Sequence, residues 1–251
     1  MLIAFLAAPA AAAPLGVTPT QIDLNPHQRS DLIAVTNEGD DEVRLQVEAF
    51  DWDQRPNGET VLAPTQDIVA FPPLLAVGAH ETKRIRVGAE APPAAAEKSY
   101  RLIIQELPPA PKEGVTGVQM LTNFSLPIFL GPGVVSPEAK IEPGPISGGA
   151  MTFAVHDQGT QHFMLRGVVV TGTDQSGAKT FEAKASGWYV LAGGTREYRL
   201  ALSQADCRAS KELRLEAQLQ DGAVEARVPL AADSCGSGAK TQFIVSGEAA
   251  R

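Results

Sequence analysis

The chain has 251 residues, 44% of them hydrophobic and 20% charged, a composition that excludes a disordered tail or a collagen-like rod. The net charge is −8 and Lys and Arg are scattered without a basic run, so the clustered positive surface that phosphate neutralisation needs is missing. Nucleic acid is therefore excluded as a partner.

Residues 1–13, from Met1 to Ala13, form a short apolar run ending in small residues that fit an Ala-x-Ala cleavage pattern, and read as a signal peptide for export. The basic leader expected before such a run is missing, so the recorded start is expected to lie downstream of the true one. An ordinary buried strand or helix is the alternative. The run is too short to span a bilayer, which takes about 20 apolar residues, and no later segment comes close, so no membrane insertion is expected.

From residue 14 onward, short alternating segments bounded by Gly, Pro, Asn and Asp recur about every ten residues, and helical periodicity is hard to find. Strands are predicted near Gly16 to Leu24, Asp31 to Asn37, Glu42 to Trp52, Asp67 to Phe71, Thr82 to Val87, Ser99 to Glu106 and Gly117 to Leu130. The clearest alternation puts Val43, Leu45, Val47 and Ala49 on one face and Arg44, Gln46 and Glu48 on the other, which predicts one buried and one wet side. Asn37-Glu38-Gly39 and Pro56-Asn57-Gly58 carry turn chemistry, because Asn and Gly tolerate the positive backbone angles of tight reversals.

Gly131-Pro132-Gly133, Pro137, Pro143-Gly144-Pro145 and Gly148-Gly149 follow, a density of breakers expected to exclude any strand. This stretch is read as the boundary between a first domain over 14–132 and a second over 133–241, with a tail over 242–251. Proline stiffens such a join, so the second domain is expected to be held at a preferred angle.

The second set of strands is predicted at Met151 to Val155, His162 to Thr171, Thr180 to Ala185, Gly187 to Val190, Glu197 to Leu202, Leu213 to Leu219 and Ala223 to Pro229. Seven and seven predict an all-β protein of two immunoglobulin-like β-sandwich domains. The two cysteines, Cys207 and Cys235, would pair in the oxidising compartment that export implies. Closing that loop would stabilise the fold by roughly 3 kcal/mol. Two buried thiols are the alternative.

Chemistry has few places to sit. His27, His80, His156 and His162 show no HExxH, HxH or Cys-His spacing, so a zinc site is not supported. Asp51-Trp52-Asp53, with Asp40, Asp41 and Glu42 near it, offers carboxylates to a hard cation, but a hydrated strand end with Trp52 facing the core explains it better. Nucleophile elbow, phosphate loop and dinucleotide fingerprint are all lacking, so neither an enzyme, a nucleotide nor a cofactor is expected.

Several segments in order resemble one family: Val17-Thr-Pro-Thr20, Phe71-Pro-Pro-Leu74 followed by Gly78, and Lys83-Arg-Ile-Arg-Val-Gly88. Ser99-Tyr-Arg-Leu102, Glu106-Leu-Pro-Pro109, the strand Val118 to Phe129 ending at Gly131-Pro132, Gly187-Trp-Tyr-Val-Leu191 and the two cysteines continue the match. Together they resemble the PapD-like periplasmic pilus chaperones of the chaperone-usher pathway, in their archaic, spore-coat-like branch. Core packing accounts for each piece taken alone; their order and spacing carry the resemblance.

The resemblance implies two sandwiches set at an angle like a boomerang, a periplasmic location, and pilus or fimbrial subunits and an outer-membrane usher as partners. The last strand of the first domain would complete a subunit that lacks its own final strand. It would place Val118, Met120 and Thr122, with Phe124 after them, in the subunit groove. Better-known members anchor the subunit's terminal carboxylate with an Arg and a Lys, where this chain has Gln21 and Pro127. Arg86 and Arg101 are the candidate replacements, the alternative being surface arginines with stems packed over apolar groups. A different class of function, a cell-surface adhesion or carbohydrate-binding module on the same sandwiches, stays open at this point.

Overall fold

The structure, a computed structural model, describes residues 14–109, 120–132, 134, 136, 138–147, 149–231 and 234–235. The apolar run of residues 1–13 and the tail over 242–251 lie outside them. The described residues form two compact units, one drawn from within 14–52, 62–93 and 99–131, the other from within 53–61, 94–98 and 132–235.

The strands of the first sandwich are β1 (Leu15–Thr18), β2 (Ile22–Leu24), β3 (Ser30–Asn37), β4 (Val43–Gln54), β5 (Thr60–Pro64), β6 (Ile68–Phe71), β7 (Leu74–Val77), β8 (Thr82–Ala89), β9 (Lys98–Glu106) and β10 (Asn123–Leu130). One sheet has the order β1-β3-β8-β6; the other runs β2-β10-β9-β4-β5, with β7 also beside β4. Alternate residues from both meet in one core: Ile33 and Ile85 from the first sheet, Leu45, Leu102, Ile104 and Ile128 from the second, none of them exposed. Burying each such side chain contributes about 1.5–3 kcal/mol.

The single strand predicted over Gly16 to Leu24 is two strands. β1 pairs with β3 and β2 with β10, so the chain changes sheets across Pro19, whose missing N–H could not serve a continuous ladder. Asn37 is fully buried: its side-chain amide donates to the carbonyls of Asp41, Val77 and Gly78, and its Oδ1 accepts the Gly39 N–H at 3.0 Å.

In the second unit the elements are β11 (Ala139–Ser147), β12 (Ala150–Asp157), β13 (Phe163–Thr173), β14 (Lys179–Ser186), β15 (Tyr189–Val190), β16 (Thr195–Ala201), a short helix α1 (Gln204–Ala209), β17 (Glu212–Leu219) and β18 (Gly222–Pro229). They form sheets of order β11-β12-β16 and β14-β13-β17-β18, with β15 beside β13, around a core that includes Phe153, Leu165, Leu213 and Leu215. Gly222 turns β17 into β18 at φ 114°, where a side chain would be strained.

The breaker-rich stretch does hold a strand. β11 carries Pro143 and Pro145 and survives because it is the outer strand of its sheet, where a missing N–H costs no ladder bond on the open side. Its register to β12 shifts between Pro143 and Ile146, a bulge at the second proline. α1 also escapes the sequence reading, since six residues are too few to show a period. Ser203 caps it, accepting the Asp206 N–H at 3.0 Å, and the Cys207–Cys235 disulfide ties it to the chain beyond β18. Among the described residues no helix is long and apolar enough to cross a membrane.

Candidate functional site

β10 lies between β2 and β9, but β2 is short. Their parallel register covers Ile128, Phe129 and Leu130 against Ile22, Asp23 and Leu24, and the Gly131 N–H extends it to the Leu24 carbonyl at 2.8 Å. Upstream of Ile128, β9 flanks one side of β10 and no strand among the described residues flanks the other. Backbone N–H and C=O groups on such an edge are a template for another chain.

Side chains along this edge divide with period two. Leu126, Ile128 and Leu130 are buried in the core and Phe124 packs, half-buried, against its margin, whereas Leu121, Asn123 and Ser125 are exposed. Met120 is 55% exposed. Val118 lies outside the described residues. Thr122 is clamped twice by Glu106, which is 6% exposed: the Thr122 N–H donates to Glu106 Oε2 at 2.9 Å, and the Glu106 N–H donates to the Thr122 carbonyl at 2.9 Å. The sequence marks Glu106 only as the last residue of a strand before Leu107-Pro108-Pro109.

The two candidate cations are not brought together. Arg86 stands exposed on β8, between Leu32 and Phe71 in register, with its Nη1 donating to Ser30 Oγ at 3.3 Å. Arg101 belongs to the other sheet and is 6% exposed. Its guanidinium lies 3.6 Å from the centroid of the Trp52 ring, and its Nη1 donates to the Ser125 carbonyl at 3.4 Å. Trp52 in turn tilts against Phe129, with centroids 5.9 Å apart. Tyr100, Leu102 and Ile104 face the core from β9, so Arg101 takes the opposite face, and Trp52 is there with it rather than in the core as expected.

Gln21 and Pro127 sit at the fork where β2 joins β10, immediately before the paired Ile22 and Ile128. The Gln21 side-chain amide donates to the Asp23 carboxylate at 3.0 and 3.1 Å, and Pro127 is buried. Arg101 therefore puts positive charge beside Ser125, two residues before the fork.

Asp51 and Asp53 are both exposed, and among the described residues no group of three or more His, Cys, Asp or Glu is placed to hold a metal ion. His80 pairs with Asp40, His156 with Thr195 and Glu142, and His162 with Glu97.

Residues 14–136 match the family described as pili and flagellar-assembly chaperone, PapD N-terminal domain. Among solved structures, the chain is similar to a chain of the CsuC–CsuE chaperone-tip adhesion subunit pre-assembly complex from archaic chaperone-usher Csu pili of Acinetobacter baumannii. The identity is 19%, the TM-score 0.62, and the match covers 85% of this chain and 98% of that one. It is also similar to the E. coli chaperone DraB, at 20% identity and a TM-score of 0.56, covering 85% and 94%. A chain of the Salmonella enterica SafA pilin–SafB chaperone complex matches at 13% identity and a TM-score of 0.52, covering 84% and 92%. No curated protein matches. At these identities the likeness carries the fold.

Proposed function

We propose, because the chain belongs through residues 14–136 to the family of pili and flagellar-assembly chaperones with a PapD N-terminal domain, that it is a periplasmic chaperone for pilus subunits. It lends the open edge of β10 to a subunit that lacks its last strand and delivers that subunit to an outer-membrane usher. The observation that carries this reading is the edge itself: β2 stops covering β10 at Ile128, and the chain before it has one side unclaimed among the described residues.

A subunit without its final strand exposes an apolar groove and unpaired backbone groups, both aggregation hazards. Main-chain hydrogen bonds from β10 supply affinity and alternate side chains fill the groove. Val118, Met120 and Thr122 are assigned to it. Met120 is free to adapt to grooves of different shape, as a thioether does. Phe124, half committed to the chaperone's own core, ends the run.

The subunit's terminal carboxylate is assigned to Arg101, whose guanidinium lies beside the strand at Ser125; Arg86, on the other sheet, has no such position. Similar solved structures from a chaperone–tip adhesion subunit complex and from a pilin–chaperone complex support this class of partner. No nucleotide is required, since exchange for the next subunit's strand at the usher releases the chaperone and the subunit's folding drives it.

Co-expression with a pilus subunit tests the reading. A one-to-one complex recovered from the periplasm is expected, and Val118→Asp with Met120→Asp abolishes it while the chaperone stays folded. Recovery of subunit at the unaltered level by the double variant would refute it.

A further inference from the structure

The second unit buries three ionisable side chains together. Glu97, in the connection between β8 and β9, has a side chain only 1% exposed; its Oε1 accepts Nδ1–H of His162 at 2.6 Å and the His162 backbone N–H at 3.2 Å. The backbone repeats the link, with the Glu97 N–H donating to the Thr160 carbonyl at 2.9 Å. Asp157, which ends β12, is 3% exposed. Its Oδ1 accepts the Gly159 N–H at 2.7 Å, and its Oδ2 is buried with no hydrogen-bond partner among the described residues.

Two carboxylates and an imidazole shut away from water cannot all carry their solution charges cheaply, because each uncompensated ion costs several kcal/mol to desolvate, on the order estimated for buried ions. With both acids ionised, Glu97 and Asp157 set two negative charges in one buried group, and a proton on either carboxylate relieves their repulsion. Glu97 Oε1 is already engaged with His162, and Oδ2 of Asp157 is the oxygen left for that proton.

The segment Ala94–Lys98 belongs to the second unit although β8, which precedes it, belongs to the first. We propose that Asp157, Glu97 and His162 form a proton-operated clasp, in which protonation of Asp157 removes its repulsion of Glu97 and tightens the hold of the 157–162 turn on the 94–98 segment as the surroundings acidify.

The electrostatics have the matching sign. Burial pushes the Asp157 carboxyl up, opposed by the Gly159 N–H; Glu97 raises it further, His162 lowers it and Glu138 raises it, to a midpoint of about 6 against an ordinary 3.8. A folded-state value above the unfolded one means that this stabilisation is fully present below 3.8 and is lost as pH rises through about 6. Such a shift makes the closed clasp about tenfold more favoured at pH 5.0 than at pH 7.5.

Carbon-detected NMR of the full chain reads the Asp157 carboxyl directly, and a midpoint near 6 is expected. Amide exchange at Glu97, corrected for the intrinsic rate, should slow about tenfold from pH 7.5 to 5.0. In Asp157→Asn that dependence should disappear while Glu97 stays protected at both pH values. An Asp157 midpoint near 4 overturns the proposal without need of any variant, and so does an unchanged pH dependence in Asp157→Asn. Subunit binding enters neither measurement, so failure of the clasp and failure of the chaperone reading are distinguishable.

Discussion

The guanidinium of Arg101 stacks over the indole of Trp52 at 3.6 Å, on the face of β4 and β9 turned away from the core. A desolvated stack of this kind contributes about 2 kcal/mol, and the guanidinium plane supplies it where an ammonium does so less well. Arg101→Ala should lower the unfolding free energy by about 1–3 kcal/mol in a denaturant titration, with Arg101→Lys recovering less than half of the loss. An Arg101→Ala midpoint equal to that of the unaltered protein would deny the stack any role in stability.

The same residue separates the two assignments made for the carboxylate anchor. If Arg101 holds a subunit's terminal carboxylate, Arg101→Lys keeps part of the subunit recovery that Arg101→Ala loses, and Arg86→Ala costs none, since Arg86 faces out from the other sheet beside Ser30. Equal losses for the two alanine variants, each checked to be folded, would remove the distinction drawn here.

Glu106 holds the chain at Thr122, upstream of the stretch of β10 that β2 covers. Its carboxylate takes the Thr122 N–H at 2.9 Å, and Glu106→Ala leaves that donor without its acceptor. The expected cost is about 1–3 kcal/mol locally, read as faster amide exchange at Thr122 with little change at Ile128, where β2 holds the strand. Glu106→Gln, which keeps an acceptor oxygen, should restore most of the protection. Uniform exchange along β10 in all three proteins would mean that the clamp does not exist.

Alternation in Val43, Leu45 and Val47 and in Tyr100, Leu102 and Ile104 makes the core-facing side of β4 and β9 legible in the sequence, because period two is a local property. Sheet order is not local. Whether Pro143 and Pro145 break a strand depends on whether that strand is outermost, and whether Arg86 and Arg101 share a surface depends on which sheet each strand joins. Trp52 was legible as buried but not as to side. The face of β10 could be read from its alternating residues, whereas the open edge follows from β2 being three residues long, set by the change of sheets after Pro19.

The burial contrast along the site predicts a contrast in mutational cost. Ile104 is fully buried between the sheets, and Ile104→Ala should cost about 2–5 kcal/mol through lost transfer energy and the cavity left behind. Met120 is 55% exposed, so Met120→Asp should fall within about 0.5 kcal/mol of the unaltered protein. Thermal unfolding of the two variants checks both. A Met120→Asp variant as unstable as Ile104→Ala would place the methionine in the protein's own core and leave nothing there to offer a partner.

Acid should loosen the turn between β13 and β14. The Asp174 carboxylate accepts the Ser176 hydroxyl at 2.7 Å, the Ser176 N–H at 2.8 Å and the Ala178 N–H at 2.9 Å, and these bonds hold it below its ordinary 3.8. A depressed folded-state value means that the contribution is present above 3.8 and is lost as pH falls through the lower folded midpoint. Amide exchange at Ser176 and Ala178, corrected for intrinsic rates, should therefore be slow at pH 5 and accelerate below 3.8, the opposite sense to Asp157 over its own range. Asp174→Ala should show the fast rates at every pH. Protection at Ala178 that survives in that variant would mean that the turn holds without the Asp174 carboxylate.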